Sequence, residues 1–279
     1  MIIDFHTHLF QKDVRGNREK YFDGEPGFKL LYEPANANLV GATDLVKVMD
    51  DQGVDKSVVF GFPWIHMETA KQNNDYILEA VSRFPGRLIG FCCVDAFHEG
   101  ATREVERCIE AGITGVGELA FYGSGIDEEA LKRLSPIMDL CLEKKRVVLI
   151  HTNEPVGHMY PGKSPITLEQ IFNLACRFPD NKMVLAHWGG GIFFYNLMKR
   201  EVAESLKNVY FDTAASPFLY HPRMYSMARD LAGLDKILFG TDFPLLQPKR
   251  YFKEMQESGL SESEIKAVCG ENAKKLLGL

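Results

Sequence analysis

Short runs rich in β-branched and aromatic residues alternate along the chain with longer stretches in which apolar residues recur every three or four positions. The short runs predict strands at 2–8 (IIDFHTH), 56–62 (KSVVFGF), 88–94 (LIGFCCV), 113–119 (ITGVGEL), 146–152 (RVVLIHT), 182–187 (KMVLAH), 208–213 (NVYFDT) and 236–242 (KILFGTD). The longer ones predict helices at 43–52, 68–84, 101–111, 127–144, 166–178, 192–206 and 222–232, with two more at 248–258 and 261–277. Start signals agree: Thr43 precedes Asp44, and Thr167 stands three residues before Gln170, the spacing of a capping box. Gly53, Pro85, Gly112, Pro179 and Gly233 follow helical runs as stop signals.

Strands that alternate with helices pair in parallel through right-handed crossovers. Eight such units within 279 residues predict one distorted TIM (β/α)8 barrel spanning 1–279, with extra C-terminal helices. The first connection, roughly 9–42, is long and rich in Gly, Asn and aromatics, as expected of a functional loop or one with structure of its own.

Composition narrows the function. The net charge of −6 and the lack of any Lys/Arg-rich run argue against a nucleic-acid partner. No apolar run is long enough to span a bilayer, and the start lacks a basic leader, so neither a membrane nor export is expected. The six cysteines form no CxxC pair and sit mostly in apolar periodic segments, as expected of reduced thiols in a cytoplasmic protein. The expected partner is a small-molecule substrate, with room for a second copy of the chain as a homodimer.

In a TIM barrel the chemistry sits at the C-terminal ends of the strands. Those ends carry His6, His8, Glu118, His151, His187 and Asp242, each metal-capable and each following an apolar run. Alternation along a strand puts His6 and His8 on one face, with Asp4 below them. It likewise groups Val147 and Leu149 with His151, Met183 and Leu185 with His187, and Leu238 and Gly240 with Asp242. Imidazole nitrogens and carboxylate oxygens about 2.0–2.2 Å from one point suit a divalent transition metal that keeps a position open for water. Such a water loses its proton near neutral pH. Asp242 could accept that proton, His187 or His151 could polarise a carbonyl, and Asp4 could orient a histidine through its free ring N–H. Zinc leads, with Mn, Fe and Co fitting the same donors, as one ion or two. A lone buried histidine is usually structural, but here the pattern repeats on several strands. Glu118 could hold or bridge ions, or form a salt bridge in the barrel mouth. Trp64, Tyr122, Glu154, His158 and Trp188 are candidate substrate-lining residues, and His98 and His221 are expected at the surface.

On these motifs the chain resembles the amidohydrolase superfamily: "DFHTH", "LIHT", "LAHWGGG" and "LFGTDFP" match its strand-one, -five, -six and -eight signatures in order. The closing "GENAKKLLGL" is similar to the last helix of the amidohydrolase-related branch, which contains aminocarboxymuconate-semialdehyde decarboxylase, resorcylate-type decarboxylases and lactonases. The resemblance implies a metal held by His6, His8, His151 and Asp242, with His187 catalytic beside it. "GVGELAFYG" is similar to strand four of the TatD-type hydrolases, which implies that Glu118 binds metal and, in a two-ion site, bridges while His151 and His187 hold the second ion.

Three activities fit. The first is hydrolysis of a small lactone, amide or ester by a metal-activated water. The alternative is metal-dependent, non-oxidative decarboxylation of an unsaturated or aromatic acid, for which Arg15 in the first connection is the one evident arginine for the carboxylate. A TatD-type nuclease or phosphoesterase would need a cationic cleft that the sequence does not display.

Overall fold

A computed structural model describes all 279 residues. Eight strands form one parallel sheet in sequential order: β1 (Ile3–His8), β2 (Lys56–Phe60), β3 (Leu88–Cys92), β4 (Gly115–Leu119), β5 (Val147–Ile150), β6 (Met183–Leu185), β7 (Val209–Asp212) and β8 (Ile237–Leu238). The ring closes from β1 onto the segment that follows β8. Phe5 N donates to Phe239 O at 2.7 Å and His8 N to Phe243 O at 2.8 Å. This is the distorted TIM barrel expected from the alternating pattern, and no helix is long and apolar enough to cross a membrane.

The barrel interior is filled by Ile3, Phe5, Val58, Phe60, Ile89, Phe91, Val147, Leu149, Val184 and Leu238, closed at the base by Ala273 and Leu276. Phe5 and Phe91 meet edge to face there, with ring centroids 5.8 Å apart. The opposite phase, including Val59, Val116, Val148, Leu185 and Phe211, packs against the helices in the larger core.

Strict alternation fails at three functional strands. In β1 the register shifts between Asp4 and Thr7, from Asp4 opposite Ser57 to Thr7 opposite Val59. Phe5 therefore fills the barrel below while His6 and His8 still face its mouth, and Asp4 does not share their face, contrary to the simple period-two expectation. A second shift in β4, between Val116 and Leu119, does the same for Glu118. In β6, Met183 and Leu185 belong to the outer core and Val184 fills the barrel. His187 reaches the mouth because its own backbone turns left-handed, at φ 54°.

The expected helix at 192–206 is replaced by 3₁₀ turns over His187–Leu197 and a short helix Glu201–Ser205. Trp188 and Gly189–Gly191 all have φ between 60° and 85°, and Met198 is extended, so no α-helix can run through. The first connection carries a helix at Lys12–Gly16, a 3₁₀ turn at Arg18–Tyr21 and a helix at Pro26–Tyr32. The Thr167 capping box forms as expected, Gln170 N donating to Thr167 Oγ1 at 3.1 Å. The helix after the first connection is instead capped at Gly41, whose N–H donates to Asp44 Oδ2 at 2.9 Å.

Candidate metal centre

The ends of five strands bring His6, His8, Glu118, His151, His187 and Asp242 to one mouth of the barrel. Among them, His6, His8 and Glu118 form one cluster of donor atoms and Glu118, His151 and His187 a second. Glu118 Oε2 lies 3.7 Å from His6 Nε2 and 3.8 Å from His8 Nε2. Its Oε1 lies 2.9 Å from His151 Nδ1 and 3.6 Å from His187 Nε2. Asp242 Oδ1 lies 3.3 Å from His8 Nε2 and 3.7 Å from His6 Nε2. Two ligands each about 2.1 Å from a shared ion sit roughly 3–3.6 Å from one another, so these separations suit donors around an ion.

The outward nitrogen of each ring supports the same fit. His6 Nδ1 faces Asp212 Oδ2 at 2.8 Å, and His8 Nδ1 donates to Gly61 O at 3.0 Å. His151 Nε2 donates to Gly162 O at 3.0 Å, and His187 Nδ1 to Ala214 O at 2.9 Å. Carbonyls only accept, so the proton of a neutral ring sits on the outward nitrogen and the inward one presents a lone pair. His6 Nε2 is buried with no hydrogen-bond partner, an orphan that a metal ion would satisfy. The donor set fits a divalent metal.

Electrostatics tie the group together. Burial alone would lower His6, but Asp212, Glu118 and Asp242 outweigh it and raise it to about 10. His187 is likewise held up at about 9 by Glu118 and Asp242 against burial. Burial would raise Glu118, yet His151 and His6 hold it well below the usual carboxylate range. His8, His6 and His187 do the same for Asp242.

The backbone around these ligands is strained. His187, Trp188 and Asp242 are left-handed, with φ of 54°, 63° and 62°. Such residues cost roughly 1–3 kcal/mol each and persist where the surroundings fix them. Here Asp4 does the fixing: its Oδ1 accepts from Thr241 N at 2.9 Å and its Oδ2 from Thr241 Oγ1 at 2.6 Å. Burial lifts the Asp4 carboxyl to about 7 against these bonds. Asp4 touches no imidazole ring, so it braces the Asp242 turn. The ring-orienting contact expected of it belongs to Asp212, which also accepts from His187 N at 2.9 Å and Ala214 N at 3.0 Å.

The proposed lining residues separate. Tyr122 flanks the centre, its ring 5.7 Å from that of His151 and stacked on Phe62. Tyr32, from the Pro26–Tyr32 helix, lies near enough to Asp242 and Glu118 that, after burial, their charges raise its hydroxyl. Trp64 and Trp188 are fully buried, against expectation. Trp64 donates to Asn73 Oδ1 at 2.9 Å inside an aromatic cluster with Phe28 and Phe62, and Trp188 donates to Ser216 Oγ at 2.9 Å. His158 is exposed on the β5 loop, and His98 and His221 are exposed as expected. Arg15 is not at the mouth; it pairs with Asp44 at 3.2 Å on the outside of the barrel. Asp212 was missed although it closes the run "NVYFDT" just as His151 closes "VVLIH". Cys93, whose thiol donates to Glu118 O at 2.9 Å, and Tyr32 carried no pattern that marked them.

A parallel eight-stranded barrel with imidazoles and carboxylates converging at its C-terminal mouth is the architecture of barrel metalloenzymes. A family model described as amidohydrolase matches residues 3–279, and the chain belongs to that family. It is an enzyme of the amidohydrolase superfamily. It is 26% identical to 2-amino-3-carboxymuconate-6-semialdehyde decarboxylase of Dictyostelium discoideum, over 99% of this chain and 91% of that protein. It is 20% identical to gamma-resorcylate decarboxylase of a Polaromonas strain, over 84% of this chain and 86% of that one. Its fold superposes with a TM-score of 0.76 on 5-carboxyvanillate decarboxylase of Novosphingobium aromaticivorans, solved with manganese and 4-hydroxy-3-methoxy-5-nitrobenzoic acid. That pair shares 18% identity over 100% of this chain and 96% of that one.

Proposed function

We propose that this protein is a metal-dependent, non-oxidative decarboxylase of an unsaturated or aromatic carboxylic acid. The observation that carries the proposal is the relationship to a decarboxylase along 99% of the chain, joined to a donor cluster fit for a divalent ion at the barrel mouth. Decarboxylation therefore displaces hydrolysis as the leading activity.

His6, His8, Glu118, His151 and Asp242 would hold the ion, with His187 beside them. Zinc suits these donors, and so does manganese, the ion in the Novosphingobium structure. When bound, the ion supplies positive charge for the substrate's carboxylate and a neighbouring oxygen. The chain's own groups do the rest. Tyr122, Phe62 and Tyr32 form an aromatic wall beside the centre, suited to a planar substrate. His187, held by the Ala214 carbonyl at 2.9 Å, aims Nε2 at the mouth. In the ion-free protein it is raised to about 9, and with the ion bound its Nε2 would be the ring nitrogen placed to hold the proton that is transferred. In the proposed reaction that proton goes to the carbon bearing the carboxylate. The C–C bond then breaks, its electron pair stays on that carbon's ring or alkene, and CO2 leaves.

A second reading, hydrolysis of a small carbonyl compound, is favoured by one feature: Glu118 lies between two donor triads, as a carboxylate bridging two ions would, and two-ion centres are common in hydrolases. One assay separates the two. Metal-loaded protein is incubated with 2,6-dihydroxybenzoate, 5-carboxyvanillate and unsaturated dicarboxylates, and separately with lactones and amides. CO2 release that chelation abolishes and added metal restores supports the proposal. Lactone or amide turnover without CO2 from any acid overturns it in favour of hydrolysis.

A further inference from the structure

The loop after β5, residues 153–164, is organised around a buried ammonium that the reaction above does not use. Lys163 is 6% exposed at its side chain and Glu154 16%. All three Lys163 protons are spoken for: Nζ donates to Glu154 Oε1 at 2.8 Å, Val156 O at 2.6 Å and His158 O at 3.3 Å. The other Glu154 oxygen accepts from Tyr160 Oη at 2.8 Å. The base of the loop is tied as well. Asn153 Oδ1 accepts from Ser164 N at 2.8 Å and Ser164 Oγ at 2.7 Å, while Asn153 Nδ2 donates to Ser164 O at 3.1 Å. An ammonium with every proton committed inside its own loop has none to offer a substrate, so its work lies in shaping the loop.

That loop makes one hydrogen bond to the donor cluster, from His151 Nε2 to the Gly162 carbonyl at 3.0 Å. Gly162 adjoins Lys163, and its φ of 95° is a conformation that side-chain-bearing residues rarely adopt. The bond matters because His151 faces two acceptors. Glu118 Oε1 lies 2.9 Å from Nδ1, and a neutral ring has one proton. A proton on Nδ1 would satisfy Glu118 and block that nitrogen as a ligand. A proton on Nε2, held by a carbonyl that can only accept, frees Nδ1 for an ion.

The geometry points to Lys163 as a positioning residue for the metal centre: paired with Glu154, it fixes the Gly162 carbonyl that keeps the His151 proton on Nε2 and the Nδ1 lone pair on the ion. This rests on His151 being a ligand, as proposed above. Partners of this kind behind a ligating histidine are worth about 10–100-fold in metal affinity.

The test uses the full-length protein with Zn2+ and Co2+ as probes. Lys163→Met keeps an unbranched side chain, one atom shorter, and removes the charge. Gly162→Ala perturbs the same carbonyl by a different route, since a Cβ there would stand 3.1 Å from Leu31 Cδ2 on a left-handed backbone. His151→Ala is measured beside them. Zn2+ affinity is read by competition with a chromogenic chelator, and ligand geometry by the visible spectrum of the Co2+ form. Both loop variants are expected to lose tenfold or more in Zn2+ affinity, to shift the Co2+ spectrum and to show a smaller ion-induced rise in melting temperature than the wild type. If His151→Ala loses affinity while the loop variants bind within twofold of wild type with an unchanged spectrum, the positioning role is wrong and the ligand assignment stands. If His151→Ala itself binds like wild type, the ligand assignment fails and takes the positioning role with it. Loss in Lys163→Met without loss in Gly162→Ala would also overturn it, because the effect would not pass through the Gly162 carbonyl. Should Lys163→Met fail to fold, Gly162→Ala decides alone by the same thresholds.

Discussion

Asp212 gives the sharpest single-residue test of the centre. Its carboxylate meets three donors: the His6 ring at 2.8 Å, His187 N at 2.9 Å and Ala214 N at 3.0 Å. Asp212→Asn keeps the shape but leaves one oxygen for all three. If that oxygen keeps the two backbone N–H groups, the new NH2 faces His6 Nδ1, and the ring must move its proton to Nε2, the buried nitrogen aimed at the ion. If the amide flips, two backbone donors are left opposite an NH2, each costing about 1–3 kcal/mol. The first arrangement puts the loss at the upper end of the range for such partners, about 100-fold in Zn2+ affinity or about 2.7 kcal/mol; the flipped one keeps the His6 proton on Nδ1 and lowers the melting temperature instead. Chelator competition on wild type, Asp212→Asn and Asp4→Asn measures it. Asp4 touches no imidazole, so its variant is expected to lose about tenfold or less. An Asp212→Asn protein that binds Zn2+ within threefold of wild type and melts at the wild-type temperature would refute the assignment of inward lone pairs.

Further outcomes follow from the same geometry. Without metal, His6 and His187 are held at about 10 and about 9 and are protonated at pH 7, so an incoming ion must displace protons. Zn2+ affinity should therefore rise from pH 6 to 9 with proton release, read by calorimetry in buffers of different ionisation enthalpy; a pH-independent affinity contradicts this. For the ion-free protein the sign reverses: raised histidines add stability that is complete below their unfolded value near 6.5 and is lost as pH climbs through 9 and 10. Melting temperatures of ion-free protein should thus fall between pH 7 and 10. Arg15→Ala should leave CO2 release within twofold of wild type, because Arg15 pairs with Asp44 outside the barrel; a large rise in KM would place it back in the site. Gly117→Ala should cost about 3 kcal/mol, or roughly 5 °C in melting temperature, by differential scanning calorimetry. The added Cβ would fall 2.2 Å from Leu149 O, at a φ of 132°; unchanged melting would show that β4 tolerates it.

The barrel was legible because a buried parallel strand must be apolar on both faces, and the runs around Val58, Phe91, Val148 and Val184 are. The cluster was legible because each of His6, His8, Glu118, His151, His187 and Asp242 closes such a run. Periodicity could not reveal the direction of individual side chains. The bulges in β1 and β4 insert a residue and reset the phase, and His187 turns through a left-handed backbone, so counting by twos misplaced Asp4 and grouped His187 with the wrong column. Trp64 and Trp188 read as lining residues because they sit beside site motifs; each is instead a core side chain whose indole N–H finds a buried partner. The pairing of Lys163 with Glu154 and of His151 with Gly162 depends on how one irregular loop folds back, which no period encodes.

Anomalous X-ray diffraction at the absorption edge of the bound metal, from crystals of protein loaded with Zn2+ or Mn2+, bears most directly on the proposed centre. A peak among His6 Nε2, His8 Nε2, His151 Nδ1, Glu118 and Asp242, about 2.0–2.2 Å from each donor, is the predicted result. A fully loaded crystal whose metal lies elsewhere, with no peak among these side chains, would contradict it.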